Sequence, residues 1–171
     1  MKQIRKYAAG LLVCLPLLFG GCRISYTLSG ASIPDAAQTV SIAYFPNNAT
    51  MVAPTLSATL TDALKDRFAG QTRLNLVTEN GDLALEGEIT NYVSAPTSIS
   101  SDDYAIENKL TITVQVTFTN AIEPQWNFKR SFSGSANYNA SVLLQTVESQ
   151  LIEEIVAILV DDIFNACVSN W

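Results

Sequence analysis

Apolar residues recur along this chain at two spacings, every second position and every third or fourth, and each change of spacing marks a predicted element. Thr39 to Phe45 reads as a strand buried through Val40, Ile42 and Tyr44, and Pro46-Asn47-Asn48 stops it. From Pro54 to Ala69 the spacing lengthens: Leu56, Leu60, Leu64 and Phe68 form one stripe, with Asp62, Lys65, Asp66 and Arg67 largely off it. That is an amphipathic helix, capped by Thr55 or Ser57 and ended by Gly70. Leu74 to Val77 is a short extended piece before a turn at Asn80-Gly81. Asp82 to Tyr92 then alternates, Leu83, Leu85 and Ile89 pointing one way and Glu86, Glu88 and Thr90 the other.

The most regular strand is Leu110 to Thr119. Leu110, Ile112, Val114, Val116 and Phe118 share one face, and Thr111, Thr113, Gln115, Thr117 and Thr119 the other, so one face meets a core and the other does not. Glu123-Pro124 turns the chain into Gln125 to Tyr138, where Trp126, Phe128 and Phe132 alternate with polar residues. Arg130 falls on the apolar parity, which signals a bulge, an edge position or a functional contact. Ser141 to Cys167 is a long helix with Leu144, Val147, Leu151, Ile155, Ile158, Leu159 and Ile163 on its apolar stripe and Glu148, Glu153, Glu154, Asp161 and Asp162 on its wet side. Those acids make a core-facing helix of it and not a membrane span. The element order predicts an α+β two-layer sandwich, two helices packed on one face of a four-stranded mixed β-sheet. The uncovered face is lined by Thr, Ser, Gln, Asn and a few charges.

The first residues have a different logic. Lys2, Arg5 and Lys6 precede the apolar run Tyr7 to Phe19, and Leu18-Phe19-Gly20-Gly21-Cys22 closes it with two small residues and a cysteine. A basic start, a short apolar stretch and a small-residue cut site make a secretory leader over residues 1–21. A cysteine directly after the cut is the residue that lipoprotein processing acylates, so Cys22 is the expected lipidation site. Two or three acyl chains, at about 0.8 kcal/mol per buried methylene, hold a protein on a bilayer where one would let it exchange. Residues 22–38 then form a lipidated tether and 39–171 a single domain.

Charge and cysteine usage narrow the chemistry. The leader removes three of the ten basic residues, leaving seven against sixteen acidic ones and a net charge of -9. That balance argues against nucleic acid and against electrostatic adhesion to anionic lipid. Cys14 leaves with the leader and Cys22 is consumed by lipid, so Cys167 has no partner and reads as a small buried hydrophobe. The chain has no histidine, which removes the commonest general base and metal ligand together with every Ser-His-Asp or Cys-His arrangement. Glu86 and Glu88, about 7 Å apart on one strand face, read as a solvated face and not as a glycosidase pair. The expectation is a non-enzyme with no metal and no cofactor, whose neutral sheet face is either plain solvent-facing surface or a docking surface.

The stretches Tyr26-Thr27-Leu28-Ser29-Gly30, VSIAYFPNNA from Val40, APTLSATLTDALKDRF from Ala53, GDLALEGEITNY from Gly81, NKLTITVQVTFTN from Asn108 and LIEEIVAILVDDIFNACVSNW from Leu151, following a lipoprotein-type start, resemble the LptE family of lipopolysaccharide-assembly lipoproteins. The resemblance implies a lipid-anchored protein on the periplasmic side of the outer membrane that plugs the LptD barrel, assists its assembly and contacts lipopolysaccharide. If the domain plugs a polar barrel, its neutral sheet face makes Thr111, Thr113, Gln115 and Thr117 the expected barrel-facing row, and Lys129, Arg130 and Lys109 are the local bases for an anionic sugar-phosphate; the resemblance itself maps no lipopolysaccharide-contacting residue onto this chain. An auxiliary lipoprotein of a lipid-transport ABC system is the competing reading; co-purification with a large barrel or with an inner-membrane permease separates the two.

Overall fold

A computed structural model describes residues 33–34, 36–51, 53–97 and 107–168. The leader, Cys22, most of the tether and the extreme C-terminal residues lie outside the described residues. The elements are β1 (Thr39–Ile42), α1 (Leu56–Gln71), β2 (Asn75–Val77), β3 (Leu83–Pro96), β4 (Glu107–Asn120), β5 (Phe128–Asn139) and α2 (Leu144–Val168), with a single 3-10 turn at Pro124–Trp126 between β4 and β5. The sheet runs in the order β2-β1-β3-β4-β5. β1 is parallel to both neighbours, and β3, β4 and β5 form an antiparallel meander.

The α+β sandwich with both helices on one face is therefore present, but its sheet has five strands and not four. The added strand is the short extended piece after α1, which pairs Asn75, Leu76 and Val77 with Thr39, Val40 and Ser41. Three residues are too few for alternation to register, and two of them are exposed, so only their partner defines them as a strand.

The core lies between the sheet and the helices. Leu110, Ile112, Val114, Val116 and Phe118 of β4 are buried against it together with Leu83, Leu85 and Ile89 of β3. α1 covers the β1–β2 side and α2 the β4–β5 side. The two helices meet where Phe68 and Phe164 stack edge to face at 5.1 Å, and there Arg67 both reaches Asp161 at 2.5 Å and lies over the Phe164 ring at 5.1 Å. Leu56, Leu60, Leu64 and Phe68 are all fully buried, each worth about 1.5–3 kcal/mol of transfer free energy.

Three local expectations are corrected. Tyr44 is 61% exposed and Phe45 is fully buried in its place. The chain slips by one residue after Ile42, because Gly87 on β3 leaves a hole that the Phe45 ring fills. Inside, the Phe45 amide donates to Thr61 Oγ1 on α1, which itself donates to the Ser57 carbonyl. Secondly, no side chain caps the start of α1. Gly70 does not end that helix either; Thr72 does, its hydroxyl donating to the Phe68 carbonyl and accepting from the Leu74 amide. Finally, Ile158 is 40% exposed and lies off the buried stripe of α2, whereas Ile152, Val156 and Val160 lie on it.

Asp82 fastens the start of β1 to the start of β3. Its Oδ2 accepts from the Gln38 and Thr39 amides and from Thr39 Oγ1, and Thr39 Oγ1 in turn accepts from the Asp82 amide. The backbone and hydroxyl donors hold its carboxyl below the usual carboxylate range. A folded-state value below the unfolded one contributes stability above the unfolded pKa, and that stability is lost as pH falls through the folded value. Asp82→Asn is therefore expected to lower the melting temperature at about pH 7 and to leave it nearly unchanged at about pH 2. Thermal melts of both proteins at the two pH values check this; an equal loss at both would remove the carboxylate from the explanation.

Candidate functional site

The face of the sheet away from the helices is built by the alternate residues of three strands. β3 and β5 flank β4 in register, so side chains line up in rows across the sheet: Glu86–Thr117–Lys129, Glu88–Gln115–Ser131, Asn91–Thr113–Ser133, Val93–Thr111–Ser135 and Ala95–Lys109–Asn137. The predicted row Thr111, Thr113, Gln115 and Thr117 is thus real and central. Each of the four is half-buried by its cross-strand neighbours and none by a helix. Thr113 and Ser133 share a hydroxyl hydrogen bond of 2.8 Å, and Thr90 donates to the Thr113 carbonyl. Such cross-strand pairs each contribute roughly 0.2–1 kcal/mol while leaving hydrogen-bonding capacity outward.

At one end of this face, Tyr44, Pro46, Glu86, Glu88, Gln115, Thr117 and Lys129 line a groove of about 340 Å³. Glu88 is engaged there by the Asn48 side-chain amide at 2.6 Å, so Glu86 and Glu88 face solvent with one of them already bonded. At the other end Lys109 borders a second groove with Thr111, Val93 and Pro96.

The three predicted bases are not brought together. Lys129 and Lys109 share the open face but lie eight β4 residues apart, roughly 27 Å at strand spacing. Arg130 is on the opposite face, across from Val116, with its guanidinium 4.4 Å from the Phe128 ring and 5.5 Å from the Phe132 ring. Of the readings its parity allowed, the edge position holds, since β5 is the last strand of the sheet. The aromatic pair screens the charge and stands where an apolar partner would otherwise sit.

Arg130 also borders a groove of about 350 Å³ between the β4–β5 connection and the end of α2, lined by Phe118, Gln125, Trp126, Phe128, Lys129 and Cys167 among others. Trp126, expected in a strand, sits instead in the 3-10 turn that Pro124 begins, and is 37% exposed. Burial pushes the Cys167 thiol up, the Arg130 charge opposing part of that shift.

Sequence reasoning missed one polar link. Tyr92 turns inward after an irregularity between Ile89 and Asn91, and its hydroxyl donates to Glu148 Oε1 of α2 at 2.6 Å. Burial and that carboxylate push the phenol up. Beside it the Tyr138 hydroxyl bonds Ser94 and Asn108, so the β3–β4–β5 meander and α2 are joined at this end by phenols. A tyrosine ending an apolar alternation, with a glutamate early in the closing helix, was the available signal.

No described helix is long and apolar enough to cross a membrane. Among the described residues, no three His, Cys, Asp or Glu side chains are grouped to hold a metal ion.

The fold is thus a helix-backed sheet with an uncovered neutral face, and residues 37–167 match the family LptE, lipopolysaccharide-assembly. The chain belongs to the LptE family. No curated protein matches it significantly. Among solved structures, uncharacterized lipoprotein B from Nitrosomonas europaea is similar at 14% identity and a TM-score of 0.52, over 84% of this LptE-family chain and 88% of that one. A hypothetical protein from Chlamydia trachomatis is similar at 9% identity and a TM-score of 0.52, over 79% and 100%. Rare lipoprotein B from Shewanella oneidensis gives 15% identity and a TM-score of 0.46, over 75% and 92%. At such identities what the first two share with this chain is the fold.

Proposed function

We propose that this LptE-family chain is a lipoprotein anchored through Cys22 on the periplasmic side of the outer membrane, where it plugs an LptD-type β-barrel, assists its assembly and serves lipopolysaccharide delivery. The observation that carries the reading is the segregation of polarity between the two layers. The outer side of the helices exposes Asp62, Asp66, Glu153, Glu154, Asp161 and Asp162, whereas the open sheet face, among the described residues of β3, β4 and β5, presents mostly threonine, serine and amide side chains, with Glu86, Glu88, Glu107, Lys109 and Lys129 as its charges. A polar lumen can satisfy hydroxyls and amides without the large desolvation cost of charge. An anionic glycolipid is repelled by the helix layer and tolerated by the sheet. In this reading Thr111, Thr113, Gln115 and Thr117 face the barrel, Lys129 and Lys109 offer a cation at each end of the row, and Arg130 supplies one on the far side beside the Trp126 groove.

The test is photo-crosslinking in cells from Thr113, Thr117, Lys129 and Arg130, combined with mild-detergent capture from native membranes. Crosslinks to a large barrel are expected from Thr113 and Thr117. Aspartate at both positions is expected to weaken capture more than it lowers the melting temperature. Crosslinks arising only from the helix surfaces would reverse the orientation, and capture of an inner-membrane permease in place of a barrel would favour the ABC reading. Cys22→Ser is expected to leave a slower-migrating precursor that takes up no acyl label.

A further inference from the structure

The turn at Asn80-Gly81 lies outside the candidate site, and the fold dictates both of its residues. β2 and β3 flank β1 on opposite sides, both parallel to it, so the chain must cross β1 between Val77 and Leu83. A crossover between parallel strands ordinarily takes about a dozen residues or more. Here the residues Thr78 to Asp82 suffice. The path is correspondingly tight: a Cβ on Gly81 would stand 2.5 Å from the Ser41 amide nitrogen and 2.7 Å from the Leu83 carbonyl oxygen, so only glycine fits against the β1 backbone. Asn80 is exposed and takes φ 56°, the only positive value among the described non-glycine residues, and asparagine is one of the few side chains that adopts it readily.

An asparagine followed by glycine is also the pair most prone to lose its side-chain amide, because no side chain hinders the following nitrogen. The Gly81 nitrogen attacks Cγ of Asn80: the N–Cγ bond forms, the Cγ–Nδ2 bond breaks, and the amide leaves as ammonia with the Gly81 proton. Water then opens the cyclic imide. Opening at Cγ restores the main chain with an aspartyl side chain, whereas opening at the main-chain carbonyl leaves an isoaspartyl link that runs through Cβ and Cγ and is longer by an atom.

We propose that Asn80 is a deamidation site that the folded state closes, and that its isoaspartyl product bars an aged unfolded chain from folding. In the fold the Gly81 N–H donates to Ser41 Oγ at 3.3 Å, and the Gly81 nitrogen cannot swing toward Cγ without lifting the crossing off β1. The unfolded chain has no such restraint. The longer link matters because of Asp82, which ties three strands together: its Oδ2 accepts from the Gln38 and Thr39 amides, its N–H donates to Thr39 Oγ1, and its carbonyl accepts from the Ala121 amide. So short a crossing has no slack to absorb another main-chain atom while Gly81 and Asp82 keep these contacts. The inference is independent of the barrel reading, because it concerns a connection and no partner.

The full chain is incubated at mildly alkaline pH, folded and in urea, and the peptide holding Asn80 is followed by mass spectrometry and isoaspartyl methyltransferase labelling. Deamidation is expected to be at least about tenfold slower in the folded chain, since the reactive form is the opened one. The Asn-Ala pairs at Asn48, Asn139 and Asn165 serve as slow internal references. Ser41→Ala, which removes the acceptor, is expected to speed the reaction in the folded protein. Asn80→Gly, which keeps the backbone conformation, is expected to abolish it there and leave the melting temperature unchanged. After dilution from urea the aspartyl and unreacted fractions are expected to refold and the isoaspartyl fraction to stay unfolded. Should Ser41→Ala fail to fold, the rate in the unaltered chain across the urea transition takes its place; it is expected to follow the unfolded fraction, and a rate indifferent to the transition would overturn the proposal. So would equal rates in the folded and unfolded chain, no acceleration in a folded Ser41→Ala protein, or an isoaspartyl fraction that refolds to the same melting temperature.

Discussion

Val114→Asp is expected to abolish cooperative folding. Val114 is fully buried on β4, an inner strand of the sheet, opposite Ile89 on one side and Phe132 on the other. A carboxylate there would be set among apolar side chains under the helix layer, a cost of about 4 kcal/mol or more against a typical net stability of about 5–15 kcal/mol. Thr113→Asp, the adjacent residue on the open face, loses the hydroxyl bond to Ser133 but meets solvent, and is expected to cost about 1 kcal/mol. Circular dichroism melts of the pair check this. Comparable damage from both would mean that the open face is as dry as the core.

Gly87→Val is expected to be nearly as harmful for a steric reason. A Cβ at Gly87 would stand 2.5 Å from Cε1 of Phe45 and collide with the Gln115 carbonyl oxygen. A side chain can rotate away, but a carbonyl held in the β3–β4 ladder cannot, so the sheet would have to deform, at a cost of about 3 kcal/mol. Phe45→Leu is expected to rescue part of the loss, and the two substitutions should be non-additive because they share one cavity. Denaturant titrations of the single and double variants read this directly. Full additivity would show that Phe45 does not occupy the hole that the glycine leaves.

These two sites also mark where the sequence was legible and where it was not. The alternation from Leu110 to Thr119 was readable because both faces of β4 keep their environment over its whole length, and the helix stripe from Leu56 to Phe68 because it always faces the sheet. The slip at Tyr44 and Phe45 was not readable, since it depends on a glycine some forty residues later in the chain. β2 was hidden by its brevity, and Trp126 by a parity that continued through a turn. The open face was visible as a row on β4, and parity alone set Arg130 on the other side of β5 from Lys129. Which residues of β3 and β5 flank that row was not visible, because it depends on the register of strands distant in sequence.

β1 lies between β2 and β3, and both of its partners are made later: Thr39 pairs with Asn75 and Val40 with Leu83. The meander β3–β4–β5 and its closing helix need only nearby contacts, whereas the first strand must wait for distant ones, and loop closure of that kind is slow. A chain emerging with its N-terminus first would therefore hold Val40, Ile42 and Phe45 unsheltered until Leu83 and Leu85 had followed, and any chaperone acting on it would find its binding segment there.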